Sequence, residues 1–260
     1  MLSKYLDVMK AAALRCGEMI LDRSAIHTTS KTSSRDVVTQ YDVAVQSALV
    51  DELHRAFPEA EFVAEEDPTR TAAAGKVVFV IDPIDGTMNF VKNFHHSCIS
   101  IGCLMDGQPV AAVVYDPYKK ELFHAGRGMG AFLNEESIHV TEDDLADTLV
   151  LFGTSPYHPA ATEQTFRMAH RMYSRSLDVR RMGAAALDLC YIACGRAGLF
   201  FEMQLSLWDY AAGVLILMEA GGVAMKLDGS PLEYAVKKSS VLVGSPKTIA
   251  QSGLLEEACF

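Results

Sequence analysis

The sequence predicts an α+β fold, with an N-terminal antiparallel meander sheet flanked by helices and a C-terminal α/β part. Three observations predict it. Roughly the first 60 residues carry apolar side chains at helical spacing. The stretch from Glu61 to Asn134 is a run of short apolar segments parted by Gly, Pro and Asp. Beyond Asn134, strand-like and helix-like segments alternate.

Two helices are expected first, Leu2 to about Ser24 and Asp42 to about Phe57, on either side of the polar stretch HTTSKTSSRDVVTQ. Asp42 reads as the cap of the second, because an Asp there accepts from the free amides of a first turn. EFVA, KVVFVID, SCISIGCLMD, QPVAAVVYDP, KELFHAG and MGAFLN then read as hairpin-connected strands, with Asp106-Gly107 the clearest hairpin signal. Further on, DTLVLFG, LDVRRM, GLFFEM and SVLVG alternate with helical stretches at 160–174, 184–194, 209–220 and 246–258. The charged, cap-rich TEDDLAD marks a boundary between Val140 and Asp147. It divides an N-terminal α+β domain, 1–143, from a C-terminal α/β domain, 144–260.

Composition narrows the partners. With 50% hydrophobic and 22% charged residues, the 260-residue chain is of globular type. A formal charge of −10 and a pI near 5.2 argue against nucleic acid and against an anionic membrane surface. An anionic substrate would therefore need bound cations to attract it. The cysteines form no Cys-x-x-Cys pair and read as reduced thiols, and the N-terminus reads as an amphipathic helix, so the protein is expected in the cytoplasm. No apolar stretch reaches the ~20 residues of a membrane span, since even AAGVLILMEAGG is interrupted by Glu219.

The most informative segment is VVFVIDPIDGTMNF, in which a buried strand delivers Asp82 and Asp85 into a turn shaped by Pro83 and Gly86. Carboxylates ending a hydrophobic strand carry a desolvation cost unless a cation or strong donors compensate, and oxygen-rich sites suit Mg²⁺ or Mn²⁺. An isolated Asp-Pro-x-Asp-Gly is more commonly a surface turn whose Asp side chains cap amides. Thr87 shifts that balance, because a hydroxyl beside metal-binding acids can position an attacking water. Upstream, AEED places Glu65 and Glu66 at a strand end, where a solvated acidic loop is an equal reading. Downstream, Asp209 precedes an apolar helix and could be a routine N-cap beside Trp208.

Other signals carry less. GRGMG, Gly126 to Gly130, lies between strands rather than before a helix, which fails the dinucleotide fingerprint. His95-His96 sits among hard oxygen donors and reads as structural. Ser155-Pro156 lacks a nucleophile-elbow setting, and Cys190 with Cys194 lacks the partners of a tetrahedral site.

Taken together, Glu65-Glu66, the run Asp82-Pro83-Ile84-Asp85-Gly86-Thr87-Met88-Asn89-Phe90, and Trp208-Asp209-Tyr210-Ala211-Ala212-Gly213 resemble the inositol monophosphatase family over nearly the whole chain. That resemblance implies a layered α-β-α-β-α sandwich and a Mg²⁺-dependent phosphomonoesterase with two or three ions, Mn²⁺ being a substitute. It implies a first ion on Glu65, Asp82 and the Ile84 carbonyl, and a second on Asp82, Asp85 and Asp209. Thr87, Asp42 and Glu65 become the catalytic set, with Thr87 orienting the water and Asp42 polarising Thr87. Gly86 and Thr87 amides are expected on the phosphate, and Gly183, Ala184, Ala185, Glu202 and Asp209 on the rest of the substrate. Lys31 matches a loop lysine near the site. The implied reaction is hydrolysis of inositol 1-phosphate by metal-activated water in a lithium-sensitive homodimer. Fructose 1,6-bisphosphate, histidinol phosphate or a nucleotide 3′-phosphate are alternatives, and a catalytically silent metal-binding or interaction protein is a third reading. Ala184, Leu207 and Ala64 depart from the family pattern, and a missing hydroxyl at 184 changes which substrate hydroxyls are satisfied.

Overall fold

Helix α1 (Leu2–Leu21) buries Leu6, Met9, Ala13, Cys16 and Ile20, one stripe at helical spacing, and α2 (Gln40–Ala56) buries Val45, Leu49 and Leu53 in the same way. The computed structural model describes residues 2–22, 28–30, 37–67, 76–156 and 158–257. The expected helix ends at Ser24 and at 258, Lys31 and Cys259 lie outside the described residues. Between the two helices, β1 (Thr28–Ser30) and β2 (Val37–Thr39) pair antiparallel.

Both helices cover one face of a seven-stranded sheet ordered β3-β4-β5-β6-β7-β8-β9. Its strands are β3 (Glu61–Ala64), β4 (Val77–Asp85), β5 (Cys98–Met105), β6 (Gln108–Asp116), β7 (Glu121–Gly126), β8 (Gly130–Leu133) and β9 (Glu136–Ile138), with the short α3 (Thr87–Val91) after β4. Positive φ at Asp106 and Gly107 makes the tight β5–β6 turn that this dipeptide favours. A five-stranded sheet follows, ordered β11-β10-β12-β14-β13. It comprises β10 (Leu149–Phe152), β11 (Asp178–Arg180), β12 (Leu199–Leu205), β13 (Val223–Met225) and β14 (Ser239–Gly244). Helices α4 (Thr162–Tyr173), α7 (Pro246–Ser252) and α8 (Leu254–Glu257) close its outer face, where Met168, Met172, Ile249 and Leu254 join Phe152, Phe201 and Leu242.

Between the sheets lie α5 (Ala185–Ala193) and α6 (Leu207–Glu219), which are apolar nearly all round because both flanks are buried. A single hydrophobic cluster joins Val80 and Val114 of one sheet, Leu189 and Ile216 of these helices, and Phe200 and Val243 of the other sheet. The layers therefore run α-β-α-β-α.

Several expectations are corrected. The first sheet is not an antiparallel meander throughout, because β3 pairs parallel to β4 with Ala64 beside Ile81. The chain from 65 to 76 between them is long enough for a crossover, whereas a hairpin needs only a tight turn. Thr39, not Asp42, is the N-cap of α2. Asp42 is the third helical residue, and its Oδ2 accepts from the Thr39 amide at 2.7 Å and hydroxyl at 2.6 Å. Likewise α6 starts at Leu207 with Ser206 as N-cap, so Asp209 sits inside the first turn. Strands β9 and β13 were not expected, being too short to show alternation. The last expected helix is divided at Gly253, which takes φ +65.

Candidate active site

Strand direction assembles the site. Parallel pairing brings the C-terminal ends of β3 and β4 to one sheet edge, where the Glu65 amide donates to the Ile81 carbonyl at 3.2 Å and Asp82 follows. In a regular strand, residues three apart face opposite sides. The β4–β5 register shifts between Asp82 and Asp85, and this bulge lets both line the same cavity. Gly86 then turns the chain at φ +85, and a Cβ there would lie 3.0 Å from the His96 carbonyl oxygen, so glycine fits the turn on both counts. The second sheet repeats the device. The parallel pairing of β10 with β12 ends at Phe152 and Phe201, which sets Gly153 beside Glu202, and β11 leads into Arg181. Ligands gather at such carboxyl edges in α/β sheets.

The resulting cavity, about 520 Å³, is lined by Glu65, Asp82, Ile84, Asp85, Gly86, Thr87, Gly183, Ala185, Glu202 and Asp209 among the expected residues. Asp42 and Ala184 do not line it. Asp42 is 1% exposed and reaches the cavity through Thr87, whose Oγ1 donates to Asp42 Oδ1 at 3.3 Å or to the Ile84 carbonyl at 3.1 Å. Ala184 is fully buried against Gly86, which removes it from the expected substrate contacts. As the N-cap of α5 it offers no side-chain oxygen. The carboxylate of Asp85, from the other sheet, takes that place by accepting from the Ala186 amide at 2.7 Å.

The acids repel one another. Burial first, then Glu65, Asp85 and Asp209, push Asp82 well above the usual carboxylate range. Asp209 is raised well above it by burial, Glu65 and Asp85, although the Ser206 amide, 2.7 Å from Oδ2, opposes the shift. Burial pushes Asp85 up to about 6 against the pull of the Ala186 and Ala185 amides. As the side chains stand, no group of three or more His, Cys, Asp or Glu among the described residues is arranged to hold a metal ion. The donor chemistry nevertheless fits one. Buried and half-buried acids on one cavity wall, all oxygen donors and mutually repelling, suit a hard divalent cation such as Mg²⁺.

Glu202, 7% exposed, accepts from the Ser155 amide at 2.8 Å and hydroxyl at 3.2 Å, and burial pushes it up to about 7. Ser155, passed over as a nucleophile, is thus a support for Glu202, held at φ +40. Gly153 is required there because a Cβ would stand 1.8 Å from Glu202 Oε2. His158, Arg181, Asp188, Gln204 and Lys238 also line the cavity. No motif marked them, although Arg181 lies next to Met182-Gly183 in an otherwise apolar approach to α5. His96 is buried and unpartnered at Nε2, and burial holds it down to about 4, as a structural histidine would be.

Known proteins agree with this architecture. The model of the inositol monophosphatase family matches residues 1–259. The Nus factor SuhB of Xylella fastidiosa is 37% identical over 86% of this chain and 82% of its own length. Inositol monophosphatase 2 of Solanum lycopersicum is 36% identical over 91% of this chain and 92% of its own. The crystal structure of the suhB protein of Bartonella henselae superposes with a TM-score of 0.90 at 30% identity, covering 97% of this chain and 98% of that one. A solved IMPase/NADP phosphatase complexed with Mg²⁺ and phosphate gives 0.81 at 26% identity, covering 93% and 88%. With the family model spanning residues 1–259 and relatives more than a third identical over most of their length, the chain belongs to the inositol monophosphatase family.

Proposed function

We propose that the protein hydrolyses a small phosphate monoester, inositol 1-phosphate first among them, with Mg²⁺ held by Glu65, Asp82, the Ile84 carbonyl, Asp85 and Asp209. One observation carries the reading: the buried Asp82 and Asp85 of β4 and the half-buried Asp209 of α6 converge, mutually repelling, on a cavity that also presents Thr87. Mg²⁺ bound there would neutralise phosphoryl charge and lower the pKa of the attacking water. The solved relative with Mg²⁺ and phosphate supports that choice of ion.

The chain's own groups supply the orientation. Thr87, with its proton directed to Asp42 or the Ile84 carbonyl, turns a lone pair toward the cavity and accepts a hydrogen bond from the attacking water. Asp42, itself fixed by the capping box of α2, keeps that hydroxyl from rotating. The amides of Gly86 and Thr87 meet phosphate oxygens, and Gly183, Ala185 and Glu202 meet the alcohol. Phosphate release from inositol 1-phosphate, measured with Mg²⁺ and again with EDTA, tests the proposal. Activity that survives EDTA, or full turnover by Asp85→Asn, refutes the ligand assignment. Lithium sensitivity and a homodimer belong to the same proposal. Inhibition curves and sedimentation test them separately.

The name of the Xylella relative, Nus factor SuhB, favours a second reading, an interaction protein of this fold with little or no catalysis. Measurable Mg²⁺ binding without phosphate release across a panel of monoesters would select it.

A further inference from the structure

Three buried side-chain polar atoms among the described residues have no hydrogen-bond partner: His96 Nε2, Thr165 Oγ1 and Asp188 Oδ1. Burying a polar atom unpaired costs free energy, so an unpaired one in a native fold calls for a reason. Only Asp188 of the three lines the cavity. It is 1% exposed, and no hydrogen bond from a described residue reaches its carboxyl.

The usual duties of a buried acid leave Asp188 unexplained. It belongs to the first turn of α5, where an acid commonly meets free amides. There Asp85 takes that role from the other sheet, accepting from the Ala186 amide at 2.7 Å. Asp188 is not the counter-ion of Arg181 either. That guanidinium favours its charged form from a distance, without an ion pair, whereas burial, then Asp85 and Glu202, push the carboxyl well above the usual range. Glu202, on the same wall, is by contrast an anchored acid, held by the amide and hydroxyl of Ser155 at 2.8 Å and 3.2 Å.

The carboxyl is aimed at the ligand space. Helical side chains lean toward the helix N-terminus, and α5 begins at the cavity wall, where Gly183 and Ala185 lie. Ala185, three positions before Asp188 on the same helix face, sets only a methyl group across the approach. The last torsion of an Asp side chain varies broadly, so either oxygen can turn to the cavity, and charged or protonated the carboxyl keeps an accepting oxygen. Resting on the phosphatase reading, we propose that Asp188 accepts a hydrogen bond from a hydroxyl of the substrate alcohol and so selects a polyol phosphate over the phosphate of a bare hydrocarbon alcohol. The hydroxyl supplies the donor that the fold withholds. An alcohol without one leaves the acid buried and unpaired in the complex, and that penalty is what discriminates.

The test compares inositol 1-phosphate with cyclohexyl phosphate, the same ring without hydroxyls, with Mg²⁺ present and phosphate release as readout. The full chain should favour inositol 1-phosphate in kcat/KM, and Asp188→Ala should lower that ratio by about tenfold or more, as loss of a hydrogen bond to a buried acid does. A general disturbance of the fold would lower both rates and leave the ratio in place. In EDTA without ester, Asp188→Ala should unfold at or above the wild-type Tm, since nothing in the described fold bonds to the carboxyl. A wild-type ratio at or below one, a ratio that the substitution does not move, or a Tm lowered by more than about 5 °C overturns the assignment and leaves the phosphatase reading intact. If only inositol 1-phosphate is cleaved measurably, the ratio is taken from affinities, by calorimetric titration with Ca²⁺ in place of Mg²⁺. If neither ester is cleaved, the phosphatase reading fails and the same titration judges Asp188. A preference for inositol 1-phosphate that Asp188→Ala reduces then supports the assignment, and equal affinities or no binding overturn it.

Discussion

Replacing Asp85 with Asn should stabilise the metal-free protein while abolishing its response to Mg²⁺. Burial moves this carboxyl from 3.8 to about 6 even though backbone amides pull the other way. A shift of about two units corresponds to about 3 kcal/mol between the charged and neutral forms. The folded state keeps the proton to higher pH than the unfolded chain. No penalty therefore exists below the unfolded value, it grows as pH rises toward about 6, and it is complete near neutrality. Asn keeps an oxygen for the Ala186 amide but adds an NH₂ that must find an acceptor, so a gain of about 1–3 kcal/mol is expected. For a chain of this size that is a rise of several degrees in Tm, at about 2–4 °C per kcal/mol. The assay is thermal unfolding in EDTA near pH 7.5 and near pH 4.5, then with Mg²⁺ at the higher pH. Wild type should gain about 2.7 kcal/mol from a cation at a hundred times its Kd, and the variant almost nothing. The reasoning is refuted if the variant is the less stable protein in EDTA near pH 7.5, if its advantage is undiminished near pH 4.5, or if it responds to Mg²⁺ as wild type does.

Three further outcomes follow from the same geometry. Thr87→Ala should lower kcat by about a hundredfold with little change in KM, and Asp42→Asn should do much the same. Because both act on one water, the double variant should be no worse than the more damaging single, as steady-state kinetics would show. Gly153→Ala forces a Cβ against Glu202 and should cost about 1–3 kcal/mol in urea unfolding while raising KM for a polyol ester. Glu202, pushed up to about 7, becomes a full acceptor only above that pH. KM for inositol 1-phosphate at saturating Mg²⁺ should therefore fall between about pH 6 and 8, and Glu202→Gln should flatten that profile.

The acidic end of the cavity was legible in the sequence because its residues sit in local patterns. Asp82 and Asp85 end a continuous apolar run, Gly86 marks a backbone that only glycine adopts easily, and Asp209 opens an apolar helix. The basic end was not, since Arg181, Lys238 and His158 lie in separate loops with no periodicity around them, and only tertiary structure brings them to one wall. Asp42 was expected as an N-cap and Asp209 at the very start of its helix, and both are third-position residues instead. Sequence spacing locates a helix start only to within a turn, and the capping boxes with Thr39 and Ser206 fix the difference. Ala184 was expected among the substrate contacts from the family resemblance, but its methyl group is fully buried beside Gly86.

The parallel β3–β4 pair was the costliest omission, because it explains why AEED and the Asp-Pro-Ile-Asp turn meet at all. Antiparallel neighbours joined by a hairpin would send Glu65 and Asp82 toward opposite edges of the sheet. Parallel pairing sends both to the edge where β5 begins at Cys98, and the bulge after Asp82 turns Asp85 inward beside them. The second sheet meets that edge where its own parallel pairing stops, at Gly153 and Glu202, across a layer formed by α5 and α6. Asp209 can then reach the acids of β4 only because α6 begins directly after β12 and lies between the sheets. Fold and site are consequently one constraint. A substitution that shifted α6 by a single turn would carry Asp209 about 5.4 Å along the helix axis and separate the carboxylates without changing any of them.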